Sequence, residues 1–310
     1  MTNIYLEIKK LKENRNAIIL AHNYQRPEVQ EIADFVGDSL VLGRKALDTD
    51  AETIVFCGVY FMAETAKIIN PEKRVLIPDL LAKCPMAQML TPKDIEEKKS
   101  KYPDAEVVLY VNSSAETKAL ADCVCTSANA SEVVNSMESN IVIFGPDRNL
   151  AYYVEERTKK DIIIVPEWGN CPTHNQLSKD DVLRAMKRHP AAELIAHPET
   201  IPEVQRMADK IASTEGMVKY CKESDADEFI IGTENDMIYR LKRDIPEKKF
   251  YMASSATVCP PMKSITLEKL RDSLKNYIYE VKIPENIIKN AKRAIDRMFE
   301  ISKYKKNEQV

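Results

Sequence analysis

The chain has 310 residues, 44% of them hydrophobic, and a formal net charge of −3, enough for two or three small domains with a real core. That charge balance excludes a general nucleic-acid binder, which needs a basic surface to neutralise phosphates. No apolar run is long enough to span a bilayer and the N-terminus has no apolar signal region, so a cytoplasmic protein with no membrane attachment is expected.

The first expected element is a helix over Asn3 to Glu13. Three short, β-branched runs follow, "AIILAHNY" from Ala17, "TIVFCGVY" from Thr53 and "RVLIPD" from Arg74, with helix-like segments between them. This reads as β-α-β-α-β, with parallel strands buried on both faces. The pattern then recurs as "EVVLYVNS", "IVIFGPDR" and "DIIIVPE", and again as "ELIAHPET", "EFIIGTEN" and "KFYMAS". Between the first two runs of each set lie "RPEVQEIADFVGDS", "SAETKALADCVCTS" and "IPEVQRMADKIAST", which align Asp34, Asp122 and Asp209 at steps of 88 and 87. Gly58, Gly145 and Gly232 fall in the same frame. A period of this length is the signature of a repeated structural unit. The expected fold is α/β. It has three pseudo-symmetric repeats around a central site, each a small parallel three-stranded sheet with flanking helices. The units are 1–84, 85–188 and 189–273. A last helix, Pro284 to Ser302 within the segment 274–310, has Ile287, Ile288, Ala291, Ile295, Met298 and Phe299 at helical spacing and is expected to pack on the first repeat. A polar tail, "KYKKNEQV", ends the chain.

Of seven cysteines, three keep the register: Cys84, Cys171 and Cys259, each followed by proline and each a few residues past the third run of its repeat. Equivalent loops converge on a pseudo-threefold axis, so these thiols are candidate metal ligands. Structural zinc sites favour four protein ligands in close pairs. Three thiolates with one open position suit a 4Fe–4S cluster whose free iron acts as a Lewis acid. Zinc and purely structural thiols remain alternatives at this point, with His174 as the rival fourth ligand. Cys57, Cys123, Cys125 and Cys221 have no threefold counterparts and read as core thiols.

Ligands of open α/β sheets bind beyond the carboxyl ends of the strands. There the register brings His22 and Tyr24 together with Tyr110 and Asn112, and with His197 and Glu199. This is a general acid/base set, in which Glu199 is the expected base and His22 and Tyr24 are donors to anionic oxygen. A second register, Ser39, Ser127 and Thr214, stands where helices begin. Such hydroxyls either cap the helix or join free N–H groups in binding phosphate or carboxylate, which matters in a chain with no G-x-G. A third, Tyr60, Asp147 and Glu234, is open to helix capping or to pairing with Arg148 or Arg240.

The motifs "AHNYQ", "GVYFMAE", "PDLLAKCPMA", "YVNSSAETKALAD", "WGNCPTH", "AHPE", "GTE" and C-x-x-M-K run in order from about Ala17 to Leu270. Together they resemble the quinolinate synthases, the A proteins of de novo NAD biosynthesis. The resemblance implies three α/β domains around one 4Fe–4S cluster held by Cys84, Cys171 and Cys259. It implies condensation of iminoaspartate with dihydroxyacetone phosphate to quinolinate, phosphate and water, with L-aspartate oxidase as pathway partner. It also implies substrate contacts at His22, Ser39, Tyr110, Asn112, Ser127, His197, Glu199 and Thr214, and proton transfer by Glu199, Tyr24, His22 and Tyr110. Two residues depart from the pattern, Glu215 and Tyr239, and a clustered-cysteine ending found in some members is absent. The rival readings are a radical iron–sulfur enzyme of the diphthamide-synthesis type and a zinc-stabilised scaffold without catalysis.

Overall fold

A computed structural model describes residues 3–304; the polar tail expected at the C-terminus lies, beyond Tyr304, outside the described residues. The first unit holds β1 (Ala17–His22), β2 (Phe35–Gly37), β3 (Thr53–Cys57) and β4 (Arg74–Leu76). The second holds β5 (Glu106–Tyr110), β6 (Cys123–Cys125), β7 (Ile141–Gly145) and β8 (Asp161–Ile164). The third holds β9 (Glu193–Ala196), β10 (Lys210–Ile211), β11 (Glu228–Gly232) and β12 (Lys249–Met252). The three sheets share one order, β2-β1-β3-β4, β6-β5-β7-β8 and β10-β9-β11-β12, and all their ladders are parallel.

Each sheet therefore has four strands, one more than expected. The extra strands β2, β6 and β10 are two or three residues long, too short to show a period of their own. The repeated aspartate explains them. Asp34, Asp122 and Asp209 each donate a backbone N–H to the carbonyl of Ile19, Val107 or Leu194. Each also accepts that same residue's N–H on a carboxylate oxygen, at 2.8 Å in all three copies. One side chain thus starts the ladder that its own strand continues.

The chain leaves β1, β5 and β9 first toward one neighbouring strand and then, on the next pass, toward the other. That reversal opens a crevice at the strands' carboxyl ends. The chief cores lie under the sheets, where strand residues such as Ile19, Ile54, Val108 and Phe229 are fully buried. The last helix, Glu285–Tyr304, buries Ala291, Ile295, Met298 and Phe299 as its spacing predicts. It does not rest on the first unit alone. It lies mainly along β6 and the helices Ala115–Lys118 and Ala130–Asn135 of the second unit, and also touches Tyr60–Ile69 of the first. Bridging two units buries more of its apolar stripe than one would. No helix among the described residues is long and apolar enough to cross a membrane.

Candidate active site

Every residue singled out as a ligand, substrate contact or proton carrier lines one cavity at the strand ends: His22, Tyr24, Ser39, Cys84, Tyr110, Asn112, Ser127, Cys171, His197, Glu199, Thr214 and Cys259. Asp38, Phe61, Met62, Thr173, His174 and Met262 join them in its wall.

Proline sets the cysteine loops. Cys171 and Cys259 are the N-caps of the short helices Pro172–Asn175 and Pro260–Lys263, with Pro in the first turn, where its missing N–H costs nothing. Cys84 immediately precedes Pro85, the N-cap of the turn Met86–Gln88. The backbone N–H groups of Ala87, His174 and Met262, each three residues on, favour the thiolate at Cys84, Cys171 and Cys259. Burial works the other way and more strongly. It pushes the Cys84 thiol up to about 12, that of Cys259 up to about 11, and that of Cys171 well above its usual range. Each of the three sulfurs lies in the field of at least one other. Three converging, desolvated thiols without disulfide partners are a donor set that a cation would hold as thiolates. By contrast Cys57, Cys123, Cys125 and Cys221 are fully buried and stay core thiols.

Two members of the third register, Asp147 and Glu234, fasten the loops of Cys171 and Cys259. Asp147 caps Asn149 and Leu150 through one oxygen and accepts the Cys171 N–H on the other, at 3.0 Å. Glu234 accepts the Cys259 N–H at 3.3 Å and that of Asp236 at 2.9 Å, and pairs with Lys263 at 2.7 Å. The alternative of a pairing with Arg240 does not occur: Arg240 binds Asp244 at 2.5 Å and Glu215 at 3.7 Å. Lys263, the last residue of C-x-x-M-K, also donates to the Tyr24 carbonyl at 2.5 Å and so ties the third unit to the first.

Glu199 is the hub of the acid/base set. Its Oε1 accepts from the Tyr110 hydroxyl at 2.5 Å and from Asn112 Nδ2 at 3.4 Å. Its Oε2 meets His174 Nδ1 at 2.7 Å and His197 Nδ1 at 3.9 Å. Burial alone would raise the Glu199 carboxyl, but His174 first, and then the Tyr110 hydroxyl, hold it well below the usual range. A carboxylate gripped by several donors is a poor base until a substrate displaces one of them. Burial, reinforced by Glu199, pushes the phenols of Tyr24 and Tyr110 well above 10, so both keep their protons.

The two register imidazoles are neutral, since burial lowers both His22 and His197 to about 3. Their tautomers follow from their neighbours. Tyr24 N–H donates to His22 Nδ1 at 3.2 Å and Glu199 N–H donates to His197 Nδ1 at 3.3 Å. The proton is therefore on Nε2 in each ring. His197 Nε2 sits 3.2 Å from Ser127 Oγ, and that of His22 is left to donate into the cavity.

The helix-start hydroxyls are not the caps. Asp38 caps the helix Ser39–Asp48 through Leu40 and Val41, and Ser213 caps Thr214–Glu223 through Gly216. With capping done one residue earlier, the Ser39 and Thr214 hydroxyls stand at the helices' positive ends, in the cavity wall. Glu215 accepts from Asn23 Nδ2 at 3.2 Å, beside the 2.8 Å bond from Asn23 Nδ2 to Thr214 Oγ1. Tyr239 donates to Glu31 at 2.6 Å, away from the cavity.

Thr233 escapes the sequence reading. Its Oγ1 lies 2.5 Å from the Tyr24 hydroxyl and 2.7 Å from His174 Nε2, linking Tyr24 to His174 and so to Glu199. Its signals are its place after the register glycine Gly232 and within the motif "GTE". His174 in turn is 3.1 Å from Cys171 Sγ. Cys171, His174 and Glu199 keep one ligand atom each within 4.8 Å of the others, as a metal site would.

The model of the quinolinate synthetase A protein family matches residues 6–300. The quinolinate synthase of Pyrococcus horikoshii is 58% identical over 297 residues, 96% of this chain and 98% of that one. Those of Methanosarcina barkeri and Methanocaldococcus jannaschii are 54% and 51% identical, over 95% and 96% of this chain and 96% and 99% of theirs.

Proposed function

The chain belongs to the quinolinate synthetase A protein family, and from that premise we propose that this enzyme of NAD biosynthesis condenses iminoaspartate with dihydroxyacetone phosphate, releasing quinolinate, phosphate and water. The observation that carries the reading is the joining, in one cavity, of three register cysteines with a buried Glu199–Tyr110–His174 network. L-Aspartate oxidase, as the source of iminoaspartate, is the proposed pathway partner.

Cys84, Cys171 and Cys259 would hold one 4Fe–4S cluster per chain. When bound, such a group supplies an open iron as a Lewis acid for a substrate oxygen. The protein's own residues do the rest. Ser39, Ser127 and Thr214, with the N–H groups of the helix starts, suit the carboxylates and phosphate of the two substrates. His22 and His197 donate through Nε2, and Asn112 through its amide. Tyr110 and Tyr24 are the protonated acids. Glu199 becomes the base once a substrate takes Tyr110 or Asn112 from it. Burial of all these groups excludes water from a reactive imine.

A second reading, one zinc ion at Cys171, His174 and Glu199, is supported by that trio, but it leaves Cys84 and Cys259 without a task. The test is product formation. Protein purified without oxygen is given iminoaspartate, freshly generated by L-aspartate oxidase, and dihydroxyacetone phosphate. Quinolinate is expected at a rate proportional to cluster content. Cluster-loaded protein that makes none would overturn the proposal.

A further inference from the structure

Gln30, Lys118 and Gln205 occupy one register position, 88 and 87 residues apart, and two of them do the same work. The Gln30 amide donates to the carbonyls of Asn23 and Gln25 at 3.0 and 2.8 Å, and across to Asp236 of the third unit at 3.3 Å. The Gln205 amide donates to Pro198 and Thr200 at 2.8 Å each, and across to Asn149 of the second unit at 3.0 Å. Each amide braces its own strand-end loop and closes one interface around the axis.

In the second unit a fully buried lysine does this work. Lys118 donates to the Ser113 carbonyl, so it braces the loop that carries Tyr110 and Asn112. Across the interface it faces the first unit, with its ammonium 5.3 Å from the centre of the Phe61 ring. It also lies in the field of Glu64, whose buried carboxylate accepts the Ala115 N–H at 3.2 Å. Two interfaces are thus closed by neutral amides and the third by a cation and a carboxylate. Burying an ammonium costs far more than burying an amide, and a glutamine meets the bracing need in the other two copies, so bracing alone does not account for the charge. The charge stands on the Cys84 side of the site. Cys84 and Phe61 line both the active-site cavity and a second cavity beside it, whose wall includes Glu64 and Ser114.

We propose that Lys118 is a positioning residue whose buried charge, balanced by Glu64, offsets the negative charge of the thiolates from the Cys84 side and raises the reduction potential of the group they hold. The inference rests on the cluster reading above. A nearby positive charge favours the added electron, so its removal lowers the potential.

The test is a redox titration of oxygen-free protein, read by the electron paramagnetic resonance of the reduced cluster, on wild type, Lys118→Gln and Glu64→Gln. Lys118→Gln installs the residue of the other two copies. At the wild-type midpoint, its ratio of reduced to oxidised cluster is expected to fall about tenfold, which is about 59 mV for a one-electron couple. Glu64→Gln is expected to raise that ratio several-fold. General loosening of the fold cannot shift the two variants in opposite directions. Unmoved potentials, or shifts of one sign, overturn the inference and leave the cluster reading intact. A cluster that stays oxidised at every accessible potential overturns the inference alone, and wild-type protein without iron and sulfide overturns both. If Lys118→Gln does not fold, Glu64→Gln decides alone, and an unmoved potential there refutes the proposal.

Discussion

Two sets of polar residues stand a dozen or so positions apart in every unit, and the pseudo-symmetry treats them oppositely. Asp34, Asp122 and Asp209 are the same residue in all three copies and make the same 2.8 Å bond to a backbone N–H. The strand-end pairs differ from copy to copy, His22 and Tyr24, Tyr110 and Asn112, His197 and Glu199, with histidine shared by the first and third. Backbone closure poses one problem three times and gets one answer. A site on the axis needs an acid, an acceptor and a neutral donor facing each other, which three identical residues cannot supply. The cysteines are the exception, the same residue three times, as the proposed cluster would require.

This contrast can be broken in order of effect. The largest loss is expected from Cys171→Ser, which should lose metal and activity together, while Cys221→Ser, a buried thiol with no counterpart, keeps both. Metal analysis and turnover of the two variants check this, and a full metal complement in Cys171→Ser would contradict the ligand assignment. Next, Tyr110→Phe removes the proton that Glu199 accepts at 2.5 Å. Turnover should fall by roughly a hundredfold or more at unchanged metal content and melting temperature. Asp122→Ala, twelve residues on in the same unit, should do the reverse. Denaturant titration should show a loss of about 1–2 kcal/mol from the unpaired Val107 N–H, with turnover of the folded protein within about twofold of wild type. Equal losses of activity in both variants would erase the distinction between frame and site.

The smallest effect is on acid stability. His22 and His197 titrate at about 3 in the folded chain against an ordinary value near 6.5. Below pH 6.5 the unfolded chain binds protons that the folded one refuses, so stability falls as pH drops from 6.5 toward 3. Between pH 6.5 and 5.5 each ring contributes a loss of about 1 kcal/mol. His197→Gln should flatten that limb in denaturant titrations at the two pH values, and an unchanged slope would show that the ring is not held neutral.

The threefold frame was legible in the sequence because apolar runs, register glycines and Cys-Pro pairs repeat together. The short strands β2, β6 and β10 were not, since two or three residues carry no period; only the aspartate before them marks where each begins. Contacts across the axis were the least legible. The Glu199–His174 bond and the Thr233 bridge join residues 25 or more positions apart. They form only when three units close on one another. The choice between capping and ligand binding at Ser39 and Thr214 stayed open in the sequence, because Asp38 and Ser213 are equally good caps and local sequence does not choose between neighbours.

The central claim, that one register of cysteines holds a four-iron cluster, is tested most directly by an iron and sulfide count on protein purified without oxygen. About four irons and four sulfides per chain are predicted, the composition of one 4Fe–4S cluster; a single zinc with no iron would contradict the account.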